Sequence, residues 1–178
     1  MGKKDTITKD YMSDNATFAD AFNFLIYGGR QVIKPEQLKE LDTTAIALPY
    51  GEGEHPVPIQ KYRDLLKAMT DGNVAYVLLG IENQSEVHYA MPPKNMLYDA
   101  AEYVAQVEDS AKSHKDSKKP ETGAEYLSRF YRTDKLLPVI TLTLYFGAEK
   151  WNAPKSLYEM FDIPEPELLK FIPNYWIN

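Results

Sequence analysis

Residues 75–92 read AYVLLGIENQSEVHYAMP, and the polar end of this run holds the residues best suited to chemistry. Glu82 and Gln84 are two apart, so on a strand they project from the same face. They follow an apolar run that ends at Ile81. A carboxylate at the end of a buried strand is costly unless it is paired or holds a cation. A second carboxylate, Asp64, stands in the preceding stretch KYRDLLK. Two carboxylates on one sheet, with a backbone carbonyl nearby, make a hard oxygen site that suits Mg²⁺ or Mn²⁺. An ion held there can polarise a phosphodiester and activate a water for attack on it. Gln84, beside Glu82, could orient that water or touch a phosphate, but it cannot take a proton as a base would.

For these groups to meet, two strands must pair in the right register. The runs 59–69 and 73–84 flank Thr70-Asp71-Gly72, and Asp-Gly between apolar runs signals a β-hairpin. A strict two-residue Asp71-Gly72 loop would set Asp64 opposite Leu79, pointing away from Glu82. An odd-length loop, or one β-bulge, would set Asp64 opposite Gly80 with Glu82 as its diagonal neighbour. The shared site therefore requires such an irregularity, and Gly80 would leave open space beside both acids.

The remaining elements follow from pattern. Residues 1–12 are polar and read as a flexible segment ahead of a single domain over 13–178. A helix is expected over 16–27, with Phe18, Phe22, Leu25 and Ile26 on one stripe and Gly28-Gly29 as its stop. A connection over 30–42 leads to a short strand at 43–49. Pro92 and Pro93 open a second helix, expected to end near Ser110, with Leu97, Ala100, Ala101 and Val104 inward. The run 136–147 reads as another central strand, and short helical pieces are expected over 155–161 and 165–171. The order helix, three strands, helix, strand predicts an α/β fold with a mixed sheet and helices on its faces.

The chain has 178 residues, no cysteine and a formal net charge of −6. An acidic balance argues against non-specific nucleic-acid binding, although carboxylates that hold a metal would add to it. Without cysteine there are no disulfides, thiolate zinc sites or cysteine nucleophiles, which suits a reducing, cytoplasmic setting. No apolar run reaches membrane-spanning length and no secretory leader is visible, so no membrane partner is expected.

The ordered set of segments resembles the PD-(D/E)XK nuclease superfamily, whose restriction-endonuclease-like core runs α-β-β-β-α-β. That superfamily places an Asp on the second strand and (D/E)-X-K on the third. Glu82-Asn83-Gln84 departs at its last position. With KYRDLLK, GIENQSE, HYAMPPKNMLYDA and LPVITLTLYFGAEKW, roughly residues 8–160 look like the recombination-promoting nuclease and transposase-like branch. The resemblance implies a metal-dependent DNA endonuclease linked to recombination or mobile elements, and members that continue into a further helical part. It implies catalytic roles for Asp64, Glu82 and Gln84, with Asp64, Glu82 and the Asn83 carbonyl as Mg²⁺ (or Mn²⁺) ligands. Lys94 and Tyr98, four apart on the second helix, could reach the site as substrate-binding residues and supply the positive charge missing at position 84. They could equally be a surface lysine and a rim tyrosine. Asp20, on the first helix where many superfamily members carry an extra acid, is a further candidate, though a solvent-facing residue fits as well. Lys112, Lys115, Lys118 and Lys119 could steer DNA or simply form a solvated loop. The alternative reading is a nuclease-fold DNA-binding or interaction module with weak or no catalysis. DNA is the expected partner, and a homodimer is left open.

Overall fold

In the computed structural model, which describes residues 3–47, 59–72, 74–114, 119–162 and 165–178, the chain begins with two helices. Helix α1, Lys3–Ser13, occupies the segment expected to be loose, and Met12 near its end is buried in the core. Helix α2, Asn15–Tyr27, starts at Asp14, whose carboxylate accepts the Thr17 N–H at 2.9 Å. It stops at Gly28, which takes a left-handed φ of 62° that a side chain would resist. Phe18 and Phe22 point inward and stack at 5.0 Å. Leu25 and Ile26, expected on the same stripe, are partly exposed. The inward position beside Phe22 belongs instead to Asn23, whose amide takes the N–H groups of Val32 and Ile33 and donates to the Ile33 carbonyl. Asn23 thus straps the chain leaving the helix back onto it.

Strand β1, Leu38–Glu40, lies in the stretch expected to be a connection, after a 3₁₀ turn at Pro35–Gln37. The run 59–69, expected as one strand, divides. Strand β2, Thr44–Ala47, pairs with β3, Ile59–Tyr62, in a separate two-stranded ribbon. Arg63 and Asp64 form the break before β4, Leu65–Asp71. Strand β5, Val74–Gln84, is the longest, and β6, Val139–Tyr145, follows helix α3, Met91–His114, and the short α4, Gly123–Ser128. The main sheet runs β1-β4-β5-β6, antiparallel except for the parallel β5–β6 pair. The result is a mixed α/β fold with a four-stranded mixed sheet flanked by helices.

The hairpin register settles the question the sequence poses. At the turn, Asp71 pairs with Val74 and Thr70 with Ala75. This phase would turn Asp64 away from Glu82. A bulge between Met69 and Thr70 then shifts the ladder, so that Leu66 faces Gly80 and Leu65 faces Ile81. The ladder ends there, and Asp64, in the bend just before it, lines the same cleft as Glu82 and accepts the Asn83 N–H through its Oδ2.

The two faces of the sheet differ in chemistry. Leu65, Met69, Leu79, Ile81 and Leu142 pack with Phe18 and Phe22 in an apolar core under α1 and α2. The opposite face meets α3 through polar side chains. Asn95 donates to Thr143 Oγ1 (2.8 Å), Thr141 Oγ1 donates to Asp99 (2.5 Å), and the Tyr103 hydroxyl accepts the Val139 N–H (3.1 Å). Gln106 brackets Leu137 through both its N–H and its carbonyl. This helical row descends against alternate residues of β6 and its lead-in, as spacings of three to four on a helix and two on a strand allow. The expected inner stripe is therefore rotated: Ala101 is buried, but Ala100 is exposed, and Asn95 and Asp99 take the inward positions.

The tail closes over the edge of β6. Leu157 N–H donates to the Tyr175 carbonyl, and Thr143 N–H donates to the Asn178 carbonyl at 2.8 Å. Short 3₁₀ turns at Tyr158–Met160 and Pro166–Phe171 lie near the two expected helical pieces. Among the described residues no helix is long and apolar enough to cross a membrane. Lys115 and Lys118 lie outside the described residues.

Candidate active site

Glu82 stands near the end of β5 on the polar face, and only 2% of its surface is exposed. Its Oε2 meets Lys94 Nζ, from the first turn of α3, at 3.0 Å. Its Oε1 is buried and has no hydrogen-bond partner among the described residues. Burial pushes the carboxyl above its ordinary value and Asp64 adds to this, while Lys94 and Arg63 pull it back.

Asp64 sits in the break before β4. Its Oδ2 accepts the Asn83 N–H at 2.7 Å, adding one side-chain rung to the β4–β5 ladder where the backbone departs. Asp64, Glu82, Gln84, His88, Lys94 and Tyr98 line one open cleft of about 400 Å³ at the end of the sheet. The Tyr98 ring is buried between two cations, with Lys94 Nζ at 5.7 Å and Arg63 at 5.6 Å from its centre. Its hydroxyl is pushed up to about 12 by burial and by the charges of Glu82 and Asp64.

Two expectations change, and a third candidate, Asp20, falls to its plainer solvent-facing reading. Gly80 does not leave space beside the acids. The Arg63 guanidinium lies across it, and a Cβ at position 80 would stand 2.0 Å from Nη1. The Gln84 amide folds back, donating to the Asn83 carbonyl at 2.8 Å, so both the expected phosphate-orienting amide and the expected carbonyl ligand are engaged with each other. Asp20 is exposed, accepts from Gln31 at 3.0 Å and is not among the residues lining the cleft.

Arg63 is the residue that sequence reasoning missed. It is buried, donating to Thr141 Oγ1 at 2.7 Å and to Asp99 Oδ1 at 3.0 Å. The available signal was Gly80 itself, since glycine inside a strand marks close approach by another group. Lys112 is exposed and pairs with Asp109 at 2.9 Å on its own helix. His114 binds Asp134 at 2.8 Å, stacks on Tyr131 and is not among the cleft-lining residues.

Among the described residues no three His, Cys, Asp or Glu side chains gather as a metal site. The donor set that is present still fits a hard divalent cation. Such an ion takes few protein ligands, all oxygen, and the Glu82 Oε1 and the Asp64 carboxylate would be the ones to hold it.

A family model described as "Putative transposase, YhgA-like" matches residues 60–178. The match begins within β3 and so takes in both carboxylates, α3, β6 and the tail. No curated protein and no solved structure matches the chain.

Proposed function

This chain belongs to the YhgA-like transposase family, and we propose that it is a Mg²⁺- or Mn²⁺-dependent DNA endonuclease that hydrolyses phosphodiester bonds during recombination or mobile-element processes. The observation that carries the reading is Glu82 with its buried, unpartnered Oε1, sharing a cleft with Asp64 and Lys94. The order α2, β1, β4, β5, α3, β6, with β6 parallel to β5, is compatible with a restriction-endonuclease-like core into which the β2–β3 ribbon is inserted. In that alignment Asp64 precedes the second core strand and Glu82 lies on the third.

Asp64 and Glu82 would hold the cation. When bound, it would supply Lewis-acid stabilisation of charge building on the phosphate. Lys94 brings its ammonium to the cleft from α3, where it can meet a phosphate oxygen and supply the charge that Gln84 lacks. Gln84 can donate a hydrogen bond to substrate once it releases the Asn83 carbonyl. Tyr98 stays protonated at neutral pH and faces the Lys94 ammonium with its ring.

Purified protein with supercoiled plasmid and Mg²⁺ or Mn²⁺ should nick the DNA. Asp64→Ala should abolish nicking, and Lys94→Met should slow it by about a hundred-fold, the range seen when one transition-state donor is removed. Equal cleavage by wild type and Asp64→Ala would sink the reading. A second reading, a non-catalytic DNA-binding module, is favoured by one observation: Lys94 already neutralises Glu82 without a metal. Calorimetry separates the two, because such a module would take up no Mn²⁺ at millimolar concentration.

A further inference from the structure

Behind the floor of the cleft lies a buried polar cluster drawn from four segments of the chain. At its centre, the Asp99 carboxylate on α3 accepts three hydrogen bonds. Arg63 Nη2 and Thr141 Oγ1 reach Oδ1 at 3.0 and 2.5 Å, and the Tyr175 hydroxyl reaches Oδ2 at 2.6 Å. Arg63 also donates to Thr141 Oγ1 at 2.7 Å, so its planar fork joins the β3–β4 break to α3 and β6 at once. Burial and the neighbouring Asp99 carboxylate push the Tyr175 phenol above its ordinary value, which keeps its proton available for donation.

This cluster neighbours cleft residues along the chain and across the sheet. Arg63 precedes Asp64 in the chain, and Asp99 follows Tyr98. Thr141 pairs with Gly80 and Thr143 with Glu82 in the β5–β6 register. The tail that carries Tyr175 makes a second attachment at these same rungs. Asn178 accepts the Thr143 N–H at 2.8 Å, and its side-chain amide donates to the Thr141 carbonyl at 3.2 Å. The tail therefore grips α3 through Tyr175 and β6 through Asn178, and the cluster it joins includes Arg63, the residue just before Asp64 in the chain.

We infer that Tyr175 is a positioning residue for the cleft: through Asp99 and Arg63 it fixes Asp64 against Glu82, so the tail sets the affinity of the carboxylate pair for a divalent cation. The inference rests on the metal-site reading above. Tyr175→Phe removes one donor to a buried carboxylate and keeps the ring. The shape of the tail survives, and Asp99 is left to redistribute its bonds to Arg63 and Thr141.

The test uses the full chain and Mn²⁺ as the probe. Isothermal calorimetry gives the affinity directly, and plasmid nicking against Mn²⁺ concentration gives the half-saturation point separately from the limiting rate. Tyr175→Phe should weaken Mn²⁺ binding about five-fold, below the range for groups that bond a metal ligand directly because it acts through Asp99 and Arg63. The nicking rate at saturating Mn²⁺ should stay within about two-fold of wild type, because excess ion offsets a weaker site without changing the chemistry. Tyr158→Phe is the control. Its hydroxyl binds the Leu169 and Ile172 carbonyls in the same tail but does not touch Asp99. It should lower thermal stability and leave Mn²⁺ affinity unchanged. Unchanged Mn²⁺ affinity in Tyr175→Phe, or an equal loss in Tyr158→Phe, overturns this inference alone. A wild type that neither binds Mn²⁺ nor nicks overturns the nuclease reading and this inference with it.

Discussion

At the scale of single residues, the site is a balance of charges held out of water. Glu82 is buried, and its folded-state pKa lies above the ordinary 4.5, burial being the largest cause and Lys94 the main opposing influence. For a group raised on folding, the associated stability is complete below the unfolded value and is lost as pH rises through the folded value. Urea unfolding should therefore show wild type losing stability relative to Glu82→Gln as pH climbs above about 4.5. In Lys94→Met, the same loss should extend to higher pH, because the cation that lowers Glu82 is gone. A pH-independent difference between wild type and Glu82→Gln would contradict this account. Gly80→Ala tests the buried charge of Arg63. Its Cβ would displace an Arg63 head pinned by Asp99 and Thr141, so it should lower stability by about 2–4 kcal/mol in denaturant titration at unchanged m value. Asp64 and Glu82 were legible as acids beside apolar runs, and the structure lines one cleft with them and Lys94. Arg63 was not, since its partners Asp99 and Thr141 lie 36 and 78 positions away and nothing local announces them.

At the scale of elements, one bulge and one helix face decide the geometry. The need for an irregularity in the β4–β5 hairpin could be deduced from the positions of Asp64 and Glu82. Its location between Met69 and Thr70 could not. Helix α3 was legible in extent but not in facing. An apolar-stripe argument assumes an apolar partner, whereas α3 lies on a face made polar by Arg63, Thr141 and Thr143. Its row of Asn95, Asp99, Tyr103 and Gln106 instead satisfies β6 and its approach. Tyr103→Phe isolates one rung. Removing the hydroxyl leaves the Val139 N–H without its acceptor, and thermal or urea melts should register a loss of about 1–2 kcal/mol. A neutral substitution would mean that this rung adds nothing to the α3–β6 contact.

At the scale of the whole molecule, the sheet separates two tasks. Its apolar face against α1 and α2 supplies the core, and its polar face against α3 carries the charged cleft. The mixed α/β class and the final parallel strand followed from element order. The N-terminal helix and the β2–β3 ribbon did not, because α1 has few apolar residues and 59–69 reads as one unbroken run. The family match begins at residue 60 and so covers both carboxylates and the tail, while α1 and α2 precede it. The central claim is that Asp64 and Glu82 act together on one divalent cation. A crystal of the protein soaked in millimolar Mn²⁺ tests it most directly. The account predicts anomalous density in contact with both carboxylates, lost in Glu82→Gln. An empty cleft, with Glu82 still held only by Lys94, would contradict it.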